Sequence, residues 1–362
     1  MSTVLRPRHD TRWHWLKPDP HAVDFWLGRV NRLWSTWEPR ARVVGRVAEA
    51  DDATTLVLKP NRHFKGFRAG QHFNVSVEID GVRHTRSYSA SNAPGRDGLL
   101  QITVKAVEGG KISRYLQQVP VGAVFPIGQA FGEFELPGGD DACVLLAAGS
   151  GITPMLSLLK AQAAYSFPRP VTLAYWARTR SEWIQAQTLH EWAERFANFK
   201  LRLITTGPGE AGDGELTGRL SEAQRAAYLP EGGPAHVLAC GPGGFVARAR
   251  ELMESFALSF QAEAFSPPVP ITAADDTDTV QITLQNTGRV LQVPRGRSLL
   301  QALEDQGVTP AHGCRMGICN TCACGKARGA TRDLHTGQVD EEPTHALRLC
   351  INSAQSDLIL EL

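Results

Sequence analysis

The chain has 362 residues, of which 42% are hydrophobic and 21% are charged, and its formal net charge is +1. This length predicts two to three globular domains, and the balanced charge gives no argument for a nucleic-acid partner. The sequence has neither a run of roughly 18–20 apolar residues, as a membrane span needs, nor the apolar core of a signal peptide, so it predicts a cytoplasmic protein.

The first segment, residues 1–37, carries five of the eight tryptophans. Its apolar residues recur at helical spacing and form one face, made up of Val23, Trp26, Leu27, Val30, Leu33, Trp34 and Trp37. Arg29 and Arg32 lie off that face. We expect an amphipathic helix that packs over a neighbouring domain of the same chain. The alternative is peripheral contact with the inner face of a membrane.

Residues 38–138 form the first predicted domain. Short β-rich runs at Thr54–Leu58, His72–Glu78 and Leu100–Val104 are separated by glycine, proline and asparagine. This pattern is typical of antiparallel strands and predicts an antiparallel barrel or sandwich. The motifs described below imply that it is a flavin-binding β-barrel.

Residues 139–265 alternate strand and helix patterns, which predicts an α/β domain with an open parallel sheet. The motifs described below imply that this is the NAD(P)-binding domain. The predicted strands are Cys143–Ala147, Val171–Tyr175, Leu201–Thr205 and Ala235–Cys240. Residues 266–277, rich in proline, threonine and aspartate, resemble a linker. Residues 278–362 open with a predicted hairpin and contain a cysteine cluster, and we expect them to form a third domain.

Four cysteines of this last domain are spaced as C-x4-C-x2-C, with the fourth 28 residues further on; they are Cys314, Cys319, Cys322 and Cys350. The spacing is that of the plant-type 2Fe–2S loop. A four-cysteine zinc site is the rival interpretation, but structural zinc usually takes two short pairs, and only one is present. Residues 278–362 therefore resemble a plant-type ferredoxin domain with a β-grasp fold, and the four cysteines are the predicted cluster ligands.

Two motifs in the first domain suggest a flavin. Arg86, Ser87, Tyr88 and Ser89 stand at the end of a β-rich run. A second motif begins at the predicted strand and opens a short helix through two glycines; its candidate residues are Val104, Gly110, Lys111 and Ser113. Glycines at a helix start suit a phosphate seated on backbone amides, although a plain hairpin turn is the alternative for this pair.

In this order, the two motifs resemble the flavin domain of the ferredoxin–NADP reductase family. The resemblance implies that Arg86 binds flavin phosphate, that Tyr88 packs on the isoalloxazine ring and that Ser89 hydrogen-bonds near flavin N5 as a catalytic residue. It also implies that Gly110 and Ser113 contact the pyrophosphate. The presence of the second motif favours FAD over FMN.

The nucleotide domain begins with a glycine-rich turn. The motif G-S-G-I-T-P follows the first strand and places backbone amides at the carboxyl end of the sheet. It differs from the general G-x-G-x-x-G motif but resembles the G-x-G-[IV]-[TS]-P signature of the same family. That resemblance implies that Gly149, Gly151, Thr153 and Pro154 lie near flavin and nucleotide.

A later strand ends in Cys240, Gly241 and Pro242. This triplet resembles the family motif that brings a cysteine toward the nicotinamide, which implies a catalytic role for Cys240. A buried structural cysteine is the alternative. Phe265 stands where such domains end against the flavin, and we expect it to shield the ring.

Nucleotide choice depends on Arg178, Thr179 and Arg180, which follow the second strand. Arginines and a hydroxyl suit the 2′-phosphate of NADPH, whereas sites for NADH often present a carboxylate to the ribose. The sequence therefore favours NADPH over NADH. A solvated basic loop is the alternative.

Together these features predict a reductase that moves a hydride from NADPH to FAD and then single electrons through a 2Fe–2S cluster to a partner protein. The tryptophan-rich leader resembles those of bacterial reductases that feed fatty-acyl desaturases, so a desaturase is the expected partner. A diiron or ring-hydroxylating oxygenase and a CoA-ester epoxidase are alternatives. An iron–sulfur redox sensor or binding module and a zinc-stapled scaffold are the interpretations from other classes.

Overall fold

The computed structural model describes residues 19–207, 216–229, 233–265, 278–317 and 320–362. Three parts of the sequence-based predictions lie outside these residues. They are the first eighteen residues of the N-terminal segment, the linker at 266–277 and the cluster ligand Cys319.

The N-terminal helix, Pro20–Val30 (α1), is shorter than its apolar pattern predicted. It ends because Asn31 turns the chain and its side-chain oxygen accepts a hydrogen bond from the backbone of Leu33 at 3.0 Å. Trp34 and Trp37 therefore lie in the turn that follows the helix. None of the helices in the described part of the chain has the length and apolar character that a bilayer span requires.

The next unit is built of antiparallel strands, as predicted. The strands are Arg40–Ala50 (β1), Ala53–Pro60 (β2), His72–Ile79 (β3), Val82–Ser89 (β4), Leu100–Lys105 (β5) and Val124–Pro126 (β6), and Lys111–Gln118 is a helix (α2). One sheet has the order β5-β2-β1-β6, and β3 pairs with β4. The hairpin between β3 and β4 turns at Asp80 and Gly81, both with positive φ (53° and 75°), as a tight two-residue turn requires. Leu56, Phe73 and Ile102 are completely buried between the strands.

The second unit is a parallel six-stranded sheet with helices on its faces. Its strands are Cys143–Ala148 (β7), Val171–Ala177 (β8), Phe199–Thr205 (β9), Leu216–Thr217 (β10), Ala235–Gly241 (β11) and Ala257–Ala264 (β12), and its helices are Ile152–Ala163 (α3), Ala186–Arg195 (α4) and Gly243–Met253 (α5). All residues of β8 and nearly all of β7 are buried, as expected for strands covered on both faces. The strands lie side by side in the order β10-β9-β8-β7-β11-β12. Their sequence order runs one way across the sheet up to β7 and the other way from β11, and open parallel sheets bind ligands at such a switch point.

The third unit is a β-grasp. Its strands are Thr279–Leu284 (β13), Val290–Pro294 (β14), Ala323–Arg328 (β15), Thr331–Asp333 (β16), Val339–Asp340 (β17), Thr344–Arg348 (β18), Asn352–Ala354 (β19) and Leu358–Leu360 (β20), and Leu299–Asp305 is a helix (α6). The main sheet runs β14-β13-β20-β15-β18, with β13 parallel to β20. The buried Lys326 ammonium joins it to the small sheet β17-β16-β19, since its Nζ donates to the Asp340 carbonyl at 2.7 Å.

Helix α3 ties the first two units together. The Ser157 hydroxyl donates to the Asn92 carbonyl at 2.7 Å, and the Lys160 ammonium donates to the Ser91 carbonyl at 2.8 Å. Burial at this contact lowers the pKa of Lys160. The middle of α3 is thereby held against the residues that follow β4, the strand that carries the predicted flavin motif.

Candidate functional site

The predicted flavin motif lies on β4, which pairs with β3 along its whole length. Because side chains alternate along a strand, Arg86 and Tyr88 share one face and Ser87 and Ser89 share the other. The Ser87 hydroxyl is used within the sheet, donating to Asn74 Oδ1 at 2.6 Å. Burial raises the pKa of Tyr88, and the nearby Arg86 guanidinium only partly opposes that shift. Arg86 and Tyr88 thus place a cation and an aromatic ring on the same face of the strand. This arrangement could bind a phosphate and a flat ring system.

Ser89 provides a test of whether a flavin fits here. Its side chain is buried, and its hydroxyl has no hydrogen-bond partner among the residues that the structure describes. Buried polar groups in native proteins are nearly always paired, because an unpaired one costs about 1–3 kcal/mol. A polar ring edge of a bound flavin would supply the missing partner.

The second predicted motif forms a tight turn before α2. Gly109 has a φ of 71°, and Gly110 is the N-cap residue that immediately precedes the helix. The Ser113 hydroxyl accepts a hydrogen bond from the Val107 amide at 3.2 Å and donates to the Gly110 carbonyl at 3.4 Å. It therefore shapes the turn, which leaves backbone amides as the phosphate donors that this turn can offer. Val104 lies in the core of β5, and Lys111 is exposed at the start of α2.

The two nucleotide motifs meet at the carboxyl edge of the parallel sheet. Strand β7 pairs with β11, and Ala147 stands opposite Cys240. Gly151 packs on the backbone of Cys240 and Gly241 so tightly that a Cβ atom would overlap it. Thr153 lies in the first turn of α3 beside Pro154, and its hydroxyl donates to the Ser150 carbonyl at 3.0 Å. Pro242 is the N-cap residue that immediately precedes α5.

Cys240 has an ionisable neighbour that the sequence analysis did not select. Glu263, on β12, stands directly opposite Cys240 in the parallel register. Burial raises the pKa of Glu263 to about 8, and it also raises the pKa of the Cys240 thiol well above its ordinary value. His72, on β3, places its Nδ1 3.7 Å from Glu263 Oε1. Burial thus favours the protonated form of both groups, and a protonated thiol is suited to packing and not to nucleophilic attack.

Phe265 follows β12 and is fastened to the same edge. Its backbone amide donates to the Gly241 carbonyl at 2.8 Å, and its half-buried side chain packs on the core cluster that contains Cys240. Its shielding of a flavin ring stays a prediction.

The predicted 2′-phosphate residues follow β8. The exposed Arg178 guanidinium donates through Nε to Glu182 Oε1 at 3.1 Å, and Glu182 also accepts from the Lys105 ammonium of β5 at 2.6 Å. The Thr179 hydroxyl lies 3.2 Å from that of Ser181, and Arg180 is exposed between them. Two arginines and two hydroxyls thus gather in one loop, although Arg178 already has a carboxylate partner.

The loop that carries most of the predicted cluster ligands lies in the third unit. The thiols of Cys314, Cys322 and Cys350 are buried, and contact with Cys322 together with burial raises the pKa of Cys350. The Gly317 amide donates to Cys350 Sγ at 3.2 Å, and the Met316 amide donates to Cys314 Sγ at 3.3 Å. Amide bonds to sulfur are the contacts that tune iron–sulfur clusters. Cys319 lies outside the described residues, which by themselves contain no group of three side chains able to hold a metal ion.

The cluster loop touches the flavin unit. Arg86 Nη1 donates to the carbonyl oxygen of Gly313 at 3.4 Å, and Gly313 immediately precedes Cys314. On the other side of the loop, the Arg315 guanidinium holds both carboxylate oxygens of Glu304 on α6 at 2.8 and 2.5 Å. Arg86, which is predicted to bind the flavin phosphate, therefore lies close to Cys314, a predicted iron ligand, although the two residues belong to different units.

Three family models match the chain in the same order as these units. Residues 41–136 match the oxidoreductase FAD-binding domain, and residues 145–251 match the oxidoreductase NAD-binding domain. Residues 282–351 match the 2Fe-2S iron-sulfur cluster binding domain. The matches confirm the predicted cofactors, namely FAD, a nicotinamide nucleotide and a 2Fe–2S cluster.

Known proteins resemble the chain over nearly its full length. It is 29% identical to an NADPH oxidoreductase of Mycobacterium tuberculosis, covering 99% of this chain and 95% of the relative. It is 26% identical to the glycine betaine monooxygenase reductase subunit of Pseudomonas aeruginosa, covering 92% and 97%. The solved structure of phthalate dioxygenase reductase has the same fold, with a TM-score of 0.60 and 24% identity, covering 89% of this chain and 97% of that one.

Proposed function

This chain belongs to the ferredoxin–NADP reductase family, with a 2Fe–2S ferredoxin domain at its carboxyl end, and from that premise we propose its nucleotide and its electron acceptor. It is an NAD(P)H-dependent flavin and iron–sulfur oxidoreductase of the kind that serves oxygenases. The nucleotide that we propose is NADPH, and the acceptor is a membrane-bound fatty-acyl desaturase.

The bound groups supply hydride transfer from the nicotinamide and the conversion of an electron pair into single electrons. The protein binds, orients and shields those groups. In our proposal Arg86 holds the flavin phosphate as a rigid donor fork, and Tyr88 lies against the ring. The buried hydroxyl of Ser89 hydrogen-bonds to the ring edge and so fixes its orientation.

Cys240 packs against the nicotinamide in this proposal, and Phe265 excludes water from the flavin. The raised pKa values of Cys240 and Glu263 support these roles, because burial favours the neutral forms, which place no buried charge against an approaching hydride donor. Cys314, Cys319, Cys322 and Cys350 hold the two irons.

The preference for NADPH is supported by the loop after β8. Arg178 and Arg180 are both exposed there, close to the hydroxyls of Thr179 and Ser181. In the proposed complex the Arg178 guanidinium binds the 2′-phosphate instead of Glu182. The Glu182 carboxylate still accepts a hydrogen bond from the Lys105 ammonium. The relative from Mycobacterium tuberculosis is an NADPH oxidoreductase by name.

One observation supports the desaturase as acceptor. Helix α1 turns Phe25, Trp26 and Val30 toward solvent, and exposed apolar groups of this kind mark contact sites for membranes or for proteins. The names of the relatives support a second candidate acceptor, a soluble oxygenase component such as the one that the glycine betaine monooxygenase reductase serves.

Deletion of the gene tests the acceptor. We expect the deletion strain to lose monounsaturated acyl chains and the wild-type chain, but not Cys350→Ser, to restore them. Unchanged unsaturated lipid, together with intact NADPH-driven cytochrome c reduction by the purified protein, would rule out the desaturase and leave the reductase assignment in place.

A further inference from the structure

Helix α1 exposes large apolar side chains that a surface helix would ordinarily bury, while Val23 and Leu27 are half-buried on its inner side. Its solvent-facing stripe consists of residues at helical spacing, namely Ala22, Phe25, Trp26, Arg29 and Val30. The exposed fractions of Phe25, Trp26 and Val30 are 56%, 70% and 76%. Asp24, in contrast, is buried on the inner side. A helix on a protein surface ordinarily buries its apolar stripe and exposes its charges.

Asp24 fixes this orientation. Its Oδ2 accepts a hydrogen bond from the Ser35 hydroxyl at 2.5 Å, and its Oδ1 accepts from the Thr36 amide at 2.6 Å. The Arg40 guanidinium lies 3.8 Å from the same carboxylate. A helix that rotated its apolar stripe inward would expose those partners and break these bonds. The outward direction of the aromatic side chains is therefore built into the packing.

The turn after the helix carries two more exposed aromatic side chains. Trp34 and Trp37 are 50% and 54% exposed, in the segment that Asp24 holds against the helix. We call Phe25, Trp26, Val30, Trp34 and Trp37 the outer aromatic face. Scattered single hydrophobic residues on a surface need no explanation, but a group of this kind marks an interaction site.

The charges beside the outer aromatic face are mainly positive. Arg29 and Arg32 are exposed, and the Arg29 guanidinium lies 5.1 Å from the centre of the Phe25 ring. Arg62 lines a cleft of about 410 Å³ together with Trp34. Asp19, at the start of the helix, is the exposed acid within residues 19–37, whereas Asp24 is turned inward.

We propose that the outer aromatic face docks on the surface of an anionic lipid bilayer. Tryptophan favours the membrane interface, where its ring is buried and its N–H remains hydrated, and arginines beside it attract acidic headgroups. The eleven residues of α1 span about 16 Å, so the helix lies along the surface. This inference does not depend on which acceptor the reductase serves.

Sedimentation of the holoprotein with vesicles tests the proposal without any acceptor. We expect binding to be about tenfold tighter with mixed phosphatidylcholine and phosphatidylglycerol vesicles than with phosphatidylcholine alone. Combining Trp26→Ser with Val30→Ser weakens that binding by about tenfold or more. The combination of Arg29→Glu and Arg32→Glu removes the preference for phosphatidylglycerol. Tyr165→Ser is the matched control, because Tyr165 is 79% exposed and lies elsewhere, just after α3.

Flavin absorbance and NADPH-driven cytochrome c reduction confirm that each variant is folded. Equal sedimentation of wild type and the Trp26→Ser, Val30→Ser protein overturns the proposal, as does failure of the wild type to bind the acidic vesicles. A dimer in lipid-free solution that the double variant turns into a monomer also overturns it, because the face would then be a subunit interface. Vesicle binding together with unchanged unsaturated lipid in the deletion strain supports this inference and rejects only the desaturase.

Discussion

Gly151 packs directly on the carbonyl group of Cys240, so closely that only a residue without a Cβ atom fits. This contact joins the glycine-rich turn after β7 to the end of β11, two motifs that are far apart in the sequence. It brings backbone amides and a buried thiol to the switch point of the parallel sheet, where a nucleotide is expected to bind.

We expect Gly151→Ala to separate these two motifs. The added methyl group forces the Cys240 backbone away, which costs about 1–3 kcal/mol of the free energy of unfolding and slows flavin reduction by NADPH. Urea unfolding and anaerobic stopped-flow absorbance measure the two effects. Gly138→Ala is the control, since a Cβ atom at that position meets nothing within 4 Å. Wild-type rates and stability in Gly151→Ala would contradict the close contact.

Arg86→Ala is expected to weaken flavin binding. Loss of a charge-assisted hydrogen bond to phosphate costs about 1.5–3 kcal/mol, which corresponds to a roughly 10–150-fold rise in the dissociation constant for FAD. Titration of the apoprotein with FAD, followed by flavin fluorescence, measures this constant. Arg83→Ala serves as the matched control, because Arg83 is an exposed arginine on the same strand. Equal FAD affinity in the two variants would remove Arg86 from the flavin site.

The variant Arg178→Ala tests the preference for NADPH. Without the guanidinium we expect the KM for NADPH to rise about tenfold or more, because a charged partner of the 2′-phosphate is lost, and the KM for NADH to change little. Steady-state ferricyanide reduction with both nucleotides gives the comparison, and Arg195→Ala, an exposed arginine at the end of α4, is the control. If the wild type used both nucleotides equally well, or if Arg178→Ala affected them alike, the loop would not select NADPH.

Glu263 is expected to make the stability of the apoprotein depend on pH. Its pKa is raised from 4.5 to about 8 by burial, so between these values the folded protein retains a proton that the unfolded chain releases. The free energy of unfolding therefore falls as the pH rises through this window. Glu263→Gln removes this contribution, and urea unfolding at several pH values should show a flatter profile. The control, Glu251→Gln, changes an exposed carboxylate of α5 and should keep the wild-type slope. A wild-type slope in Glu263→Gln would mean that the carboxyl group is already ionised in the folded protein.

Local motifs were the part of the molecule that could be predicted from sequence. The cysteine spacing, the glycine turn before α2 and the R-x-Y-S segment on β4 act over a few residues, so their chemistry is visible in the sequence. The order of the three units was predicted for the same reason, because hydrophobic periodicity changes from strand-like to alternating strand and helix patterns along the chain.

Contacts that depend on tertiary packing could not be predicted. Strand β12 was missed because it lies at the edge of the sheet and most of its residues are only half-buried, so it lacks a clear apolar pattern. Glu263 and its neighbour His72 were missed with it, since only the register of β12 against β11 brings Glu263 to Cys240. The apolar face of α1 was predicted to be packed, but Asp24 turns much of it outward through hydrogen bonds to Ser35 and Thr36.

Anaerobic mixing of the purified holoprotein with NADPH, followed by visible absorbance and electron paramagnetic resonance, tests the proposed electron path most directly. In the wild type, flavin absorbance should decrease first, and the signal of a reduced 2Fe–2S cluster should then appear. In Cys350→Ser the flavin should still be reduced, without the cluster signal and without rapid cytochrome c reduction. A wild-type protein that reduces cytochrome c equally fast when it contains no iron would contradict electron transfer through the cluster.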